Sequence, residues 1–521
     1  MKNWFVSGLL LIGGAAAQSA SAQAITFGLS GEPISLDPCV TSDGNGAYVQ
    51  TQIYNGLIKF KPGTVELQPD LALRWTTSDD GLTWTFYLRQ NVKFQDGTPL
   101  NAEAVRFNFM RWWDPKSGYS GGKDFQGWSD NVGGYKGAPG SIVKDVRVKN
   151  AYAVEIVLNN PYPALGALLA DSGLFGIASP TAIKKNPAQY GTPAGLAVGT
   201  GPFMLTKWTS GVNVQLAKNP NYFNAGLPKS DNLTFRFIKE PSSRLNELLA
   251  GGVDIAGDLL PDQLQSLRAN AKLKPLLRPA LNLGYLGLNT SYKPLSDVRV
   301  RQAIATALNK KAIVDAFWNG LGLTDAHLIP PPLSKSYSKN VTDYKYDPAA
   351  AKKLLAAAGY PNGFTLDLWY MPVSRPYYPT PKPIAEAMAA DLTAIGIKVN
   401  LKTEDWGAYL QHRSEGKLQA FMLGYIYATD ADNAYTNLLA PGSTGDISWT
   451  SPEVNAAMDA ARKLPSADKR QQYYQKVDEI MFREAVRIPV VHSRLLVASG
   501  AAVKGWVPSP TGSEKLDTVD K

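Results

Sequence analysis

Residues that commonly carry covalent or metal chemistry are scarce here: 521 residues include one cysteine, Cys39, and three histidines, His327, His412 and His492. A single cysteine excludes an internal disulfide, so the fold does not use an oxidising compartment for staples. The histidines are far apart and none stands at ligand spacing with Cys, Asp or Glu, so no metal site or cofactor is expected. Beyond the N-terminus, no stretch reaches the ~18 uninterrupted apolar residues that a membrane helix needs. Low-complexity tracts and nucleic-acid motifs are absent. The net charge of +9 comes from basic residues spread along the chain rather than clustered, which argues against nucleic acid as a partner. A positive field suits anionic ligands or surfaces without identifying one.

What is present begins with an export signal. Lys2 supplies a positive start, residues 4–17 are apolar but too short to span a bilayer, and Ala20-Ser21-Ala22 offers a small-residue cleavage site. Residues 1–22 are therefore expected to be a removed signal peptide; the loss of Lys2 leaves +8 on a mature chain outside the cytoplasm. Cys39 follows Leu36-Asp37-Pro38, which lacks the small residues of a lipoprotein cleavage site and lies well past the apolar stretch, so no lipid anchor is expected.

About 500 mature residues exceed what one core usually supports, so two or three domains are expected. Apolar content of 44% and charge of 19% are ordinary globular values. The chain reads as repeated α/β units. Ser242 or Ser243 is placed to cap a helix through Leu249, Gly251-Gly252 to end it, and Val253-Asp254-Ile255 to form a buried strand. Helices are expected over 347–358, 382–394, 405–415 and 466–484, with strands over 397–401, 418–425 and 488–492. Residues 281–289 alternate like a strand, and together with 488–492 they are places where the chain could change lobes.

The most informative segment is Leu368-Trp369-Tyr370-Met371-Pro372-Val373-Ser374-Arg375-Pro376-Tyr377-Tyr378-Pro379. Proline fixes φ and pushes the preceding residue to extended conformations, so Arg375 sits on stiff backbone. A planar guanidinium held in this way takes a carboxylate through two charge-assisted hydrogen bonds. Trp369, Tyr377, Tyr378 and Trp406 are candidates to wall the pockets beside it.

This segment resembles the Met-Pro-Val-x-Arg-Pro-Tyr-x-Pro element of periplasmic dipeptide-binding proteins, the receptors of peptide-type ABC importers. The likeness covers nearly the whole mature chain in order. It runs through Tyr54-Asn55-Gly56-Leu57, Pro69-Asp70-Leu71-Ala72, Ser78-Asp79-Asp80-Gly81-Leu82-Thr83-Trp84-Thr85-Phe86 and Val92-Lys93-Phe94-Gln95-Asp96-Gly97-Thr98-Pro99. It continues through Gly199-Thr200-Gly201-Pro202-Phe203, Asp297-Val298-Arg299-Val300-Arg301-Gln302-Ala303, Tyr346-Asp347-Pro348 and Val503-Lys504-Gly505-Trp506. The resemblance implies an α/β Venus-flytrap fold of two lobes joined by a two-strand hinge, with an extra subdomain in the first lobe. Lobe I would comprise 23–60, 185–280 and 489–521, the inserted subdomain 61–184, and lobe II 281–488. It further implies a ligand carboxylate on Arg375, Thr41, Ser42 and Asn45 lining the cleft from lobe I, no catalysis, and a monomer that delivers its peptide to permease subunits in the inner membrane.

One departure bears on the cargo. In dipeptide-binding relatives a Gly-Trp-x-x-Asp segment supplies an aspartate for the ligand's ammonium; here the matching stretch is Gly424-Tyr425-Ile426-Tyr427-Ala428-Thr429-Asp430-Ala431-Asp432-Asn433, one residue shorter. Tyr427 or Ala428 falls where the aspartate is expected. Either Asp430 or Asp432 shifts in to replace it, or the anchor is gone and an acidic or N-blocked ligand is favoured, because a buried ammonium without a carboxylate costs several kcal/mol. An opine-like conjugate, an oligosaccharide, a chelated metal and haem are the alternative cargoes within the same receptor fold. The different class is a serine hydrolase: Gly118-Tyr119-Ser120-Gly121-Gly122 matches Gly-x-Ser-x-Gly, but its Gly-rich surroundings read as a loop rather than the tight strand-to-helix turn that chemistry needs.

Overall fold

A computed structural model describes residues 23–426, 429–439, 446–464 and 466–521. The expected signal peptide, and Tyr427 and Ala428 in the altered segment, lie outside the described residues.

The described strands form two large mixed sheets, a four-stranded antiparallel sheet and a two-stranded ribbon. The seven-stranded sheet draws on distant parts of the chain. Ala24–Leu29 lies between the parallel strands Asn232–Phe237 and Ile255–Leu259; Leu495–Gly500 joins Ile255–Leu259 to Leu273–Arg278 at one edge, and Asn213–Lys218 and Phe203–Thr209 complete the other. The six-stranded sheet is built around Asn282–Leu288, flanked antiparallel by Arg487–Ser493 and Ala420–Ile426, extended on one side by Thr365–Trp369 and Lys398–Lys402 and edged on the other by Gly322–Leu323. Each sheet is covered by helices and has its own apolar core, the α/β arrangement that the repeated units call for. A third core, around Trp112, Trp128 and Phe175, fills the space behind the antiparallel sheet of residues 72–158.

Local chemistry accounts for most elements. Ser466 accepts a hydrogen bond from the Lys469 amide at the start of Ala467–Glu484, and Asp347 accepts one from Ala350 ahead of Pro348–Ala357. Two expectations need correction. The helix Pro241–Ala250 begins on its proline, with Glu240 as N-cap and no side-chain cap, so neither Ser242 nor Ser243 caps it. The strand that follows starts at Ile255 and runs to Leu259, later than Val253, because it pairs with Phe27 and Gly28 only from that point. The alternation of residues 281–289 predicts a half-buried strand, yet every residue of Asn282–Leu288 is buried: it is central to its sheet, and its glycines leave room for Tyr377, Tyr378 and Phe421.

Two passages cross between the large sheets. Leu273–Arg278 leads through residues 279–281 into Asn282–Leu288, and Arg487–Ser493 leads through Arg494 into Leu495–Gly500. The crossings run side by side and are tied together: the Asn282 side chain donates to the Ser493 carbonyl (2.7 Å) and accepts from the Ser493 amide (2.9 Å). A ring nitrogen of His492 lies 2.7 Å from the Asn282 carbonyl, and burial lowers the pKa of this imidazole.

A buried ion pair fixes the segment that leads into the first helix. Both oxygens of Asp37 accept from Arg111, at 2.7 and 2.6 Å, and Lys123 adds a third bond at 2.7 Å. Burial works against the Arg111 charge, but Asp37 raises its pKa above the ordinary value. Asp37→Asn removes the charge that compensates two cations, and is expected to lower the unfolding free energy by about 3–5 kcal/mol. A fall in the denaturant midpoint at unchanged slope would register this loss.

Candidate functional site

Arg375 stands on a tight turn held from below. Its amide donates to the Tyr378 carbonyl (3.0 Å) and the Tyr378 amide donates back (2.9 Å), leaving Pro376 and Tyr377 at the turn. Tyr378 is fully buried against Trp318, and the Trp318 indole donates to the Pro376 carbonyl at 3.2 Å. The guanidinium itself is exposed, lies 5.6 Å from the ring centroid of Trp406, and donates to the Ser374 carbonyl at 3.0 Å. A rigid backbone thus carries an accessible planar cation with an aromatic at its side.

The other aromatics divide by role. Burial raises the Tyr377 phenol pKa, and nearby Arg375 partly offsets the rise. The Tyr377 ring occupies the space over Gly424, where an added Cβ would meet it at 2.3 Å. Trp369 is half-buried at the end of its strand, packs against the core, and its carbonyl accepts from Tyr409 at 3.3 Å. Tyr425 stacks on Tyr285, with centroids 6.1 Å apart and planes within 7°.

Behind Tyr425 lies a polar cluster that no local sequence pattern announced. Arg413 donates to the Tyr425 hydroxyl (3.2 Å) and to Asp446 (3.3 Å); Arg487 donates to Asp446 (2.8 Å) and to the Tyr285 hydroxyl (2.9 Å). Burial opposes the Arg487 charge, while Tyr285 and Asp446 raise its pKa above the usual value. Asp430 and Asp432 are also engaged by guanidinium groups. Asp430 takes two bonds from Arg470, at 3.3 and 3.2 Å, and the two oxygens of Asp432, 2% exposed, share the Arg462 Nε–H at 3.1 and 3.2 Å. Burial raises the Asp432 pKa and Arg462 opposes the rise.

Of the residues expected on the first wall, Asn45 lines a cavity of about 260 Å³ with Ser30, Tyr48, Asp258, Arg278 and Gly512. Asp43 caps the helix Gly44–Ile53, accepting from the amides of Asn45 and Gly46, which orients Asn45. Thr41 and Ser42 lie beside the helix Gln126–Val132: Thr41 backs onto Gly127, and the Ser42 hydroxyl accepts from Asn131 at 3.4 Å. A larger concavity, about 530 Å³, lies over the helix Ala102–Trp113 and is lined by Phe107, Tyr119 and Lys184, away from the crossing strands.

The hydrolase pattern falls in a loop. Gly118, Gly121 and Gly122 all have positive φ, and the Ser120 hydroxyl accepts from the Gly122 amide at 3.3 Å in a turn rather than at a strand-to-helix junction. Among the described residues, no group of three or more His, Cys, Asp and Glu side chains is placed to hold a metal.

Two sheets joined by paired crossing strands, with an arginine turn beside the crossings, define a two-lobed binding protein. The chain belongs to the bacterial extracellular solute-binding proteins, family 5, whose model matches residues 66–446. It is 33% identical over 515 residues to heme-binding protein A of Haemophilus influenzae, covering 95% of this chain and 92% of that one. Against the dipeptide-binding protein of Escherichia coli K12 the identity is 31% over 534 residues, covering 98% and 97%. Among solved structures, HbpA2 from Haemophilus parasuis matches with a TM-score of 0.88 at 32% identity, covering 95% of this chain and 99% of that one.

Gly424→Ala tests how the arginine turn is seated. Its Cβ would lie 2.3 Å from both the Leu283 carbonyl oxygen and the Tyr377 ring, so the central strand or the turn must move. A loss of about 1–3 kcal/mol in denaturant unfolding is expected.

Proposed function

We propose that this chain is the periplasmic receptor of an ABC importer and that its cargo is a dipeptide or short peptide-like carboxylate, held by Arg375 between two lobes. The observation that carries this reading is the accessible Arg375 guanidinium on its clamped turn, with no carboxylate partner among the described residues. The hinge is formed by residues 279–281 and Arg494. Lobe I is assigned to 23–60, 185–278 and 495–521, the inserted subdomain to 61–184 and lobe II to 282–493; the second boundary falls later than the expected 488/489 because the whole strand Arg487–Ser493 pairs within the second sheet. Closure about the hinge excludes water from the arginine, which strengthens its pairing with a carboxylate and creates the surface that the permease reads.

The name of the E. coli relative supports a peptide. The name of the H. influenzae relative raises haem, for which this chain offers less: His327 is buried and bonded to Asp478, His492 is buried between the carbonyls of Asn282 and His327, and His412, the most exposed of the three, is held by Glu404 at 2.9 Å. Export through the N-terminal segment without a lipid anchor fits a buried Cys39, whose thiol lies 3.2 Å from the Leu174 carbonyl. The cleft is built from one chain, so a monomer suffices.

Native mass spectrometry of the mature protein, with release of any co-purified ligand, identifies the cargo class directly. Calorimetry on Arg375→Ala is expected to show peptide acids bound at least about 30-fold more weakly than by the wild type, with peptide amides little affected. Equal affinity for acids in the two proteins would remove the carboxylate from Arg375.

A further inference from the structure

We propose that Asp258, on the first lobe, receives the ammonium of the ligand whose carboxylate Arg375 holds; this rests on the peptide reading above. The usual place for that role is the 424–433 segment, where Asp430 already takes two hydrogen bonds from Arg470 and the oxygens of Asp432 share the Arg462 Nε–H. Recruiting either for a ligand would expose a guanidinium to loss of its partner, a costly exchange in a partly buried site.

Asp258 is placed by a bulge. Along the pairing with Leu495–Gly500, Ala256 faces Ala498 and Leu259 faces Leu496, so Gly257 and Asp258 together stand opposite Val497. Asp258 has φ of 49°, a left-handed conformation that a non-glycine residue keeps only where its surroundings enforce it. Here the enforcement is Arg244, which is buried and donates to the carbonyls of Gly257 (2.9 Å), Asp258 (2.6 Å), Ile238 and Lys239 (2.7 Å each). A buried guanidinium spent entirely on backbone oxygens locks the bulge from behind, and the Asp258 side chain is turned into the cavity of about 260 Å³.

The carboxylate is open to a further donor. Its side chain is 40% exposed. The Ser30 hydroxyl lies 3.2 Å from it and 3.0 Å from the Asn45 side-chain oxygen, with one proton for the two. Arg278, which lines the same cavity, makes only a long ion pair with Asp258 (3.8 Å) and no hydrogen bond to it, because its nearer contacts are to Glu514 (2.9 Å) and the Tyr48 hydroxyl (2.7 Å).

Its position relative to the hinge matches that of Arg375. Arg278 pairs with Leu495 and Leu259 with Leu496, so Asp258 lies at the end of its sheet where both strands leave for the other lobe. Asn282 pairs with Ile426 and Gly284 with Gly424, and the Arg375 turn rests on both of these glycines through Tyr377, at the corresponding end of the second sheet. A ligand spanning the closed cleft would therefore meet a cation on one wall and an anion on the other.

The test is competitive binding, read by native mass spectrometry and calorimetry, of two dipeptide pools to wild type and Asp258→Asn. One pool has free amino termini and the other is N-acetylated. Asparagine tolerates positive φ, and a matched unfolding midpoint checks that the variant is folded. The expected result is a wild-type preference for free amines that Asp258→Asn abolishes, with free-amine affinity falling at least about 30-fold and N-acetyl affinity little changed. Retention of the preference in Asp258→Asn, or a wild type indifferent to acetylation, would overturn the assignment while leaving the peptide reading intact. A wild type that binds neither pool would overturn both.

Discussion

The pairing of the two crossing strands is the constraint on which the rest depends. Asn282 bonds the Ser493 backbone through both its side-chain oxygen and nitrogen, and His492 closes on the Asn282 carbonyl, so the two passages behave as one connection with two threads. Paired threads restrict the lobes to motion about a line rather than free rotation about a single link. That restriction brings the same two walls together each time the cleft closes, which a binding site divided between lobes requires.

Each of the two candidate walls is backed by a buried arginine or aromatic. Arg244 spends its donors on carbonyls around Asp258, and Trp318 with Tyr378 grips the turn that presents Arg375. On the first wall, Asp37 and Arg111 tie the segment preceding Asn45 to the helix Ala102–Trp113. Burying the two arginines is tolerable because Arg111 and Arg244 each bond through Nε and both terminal nitrogens, although the Tyr378 hydroxyl is left without a partner among the described residues, and the result is side chains whose directions are set in advance. Pre-set directions reduce the ordering cost of binding.

The acids near the arginine turn are already engaged. Asp430, Asp432 and Asp446 are each bonded to guanidinium groups, so a count of acids in the altered segment overstates what a ligand can use. Position in sequence is a poor guide to availability: Asp258 is nearly 170 residues from that segment and is the more open carboxylate.

The sequence by itself determined the α/β character and most helices and strands to within a few residues, and it singled out Arg375 as a candidate, because these follow from local rules: apolar periodicity, caps, and proline stiffness around one arginine. It also carried the family, since ordered motifs persist along the chain. Tertiary structure alone decided which carboxylates are spoken for. Asp432 meets Arg462 and Asp446 meets Arg413 and Arg487 across 30 to 41 residues of chain, and nothing local marks such pairs. The bulge at Asp258 was equally illegible, because its conformation comes from pairing with Leu495–Gly500 and from Arg244 behind it; a strand's register, and the side to which one extra residue turns its side chain, are set by the neighbours it folds against.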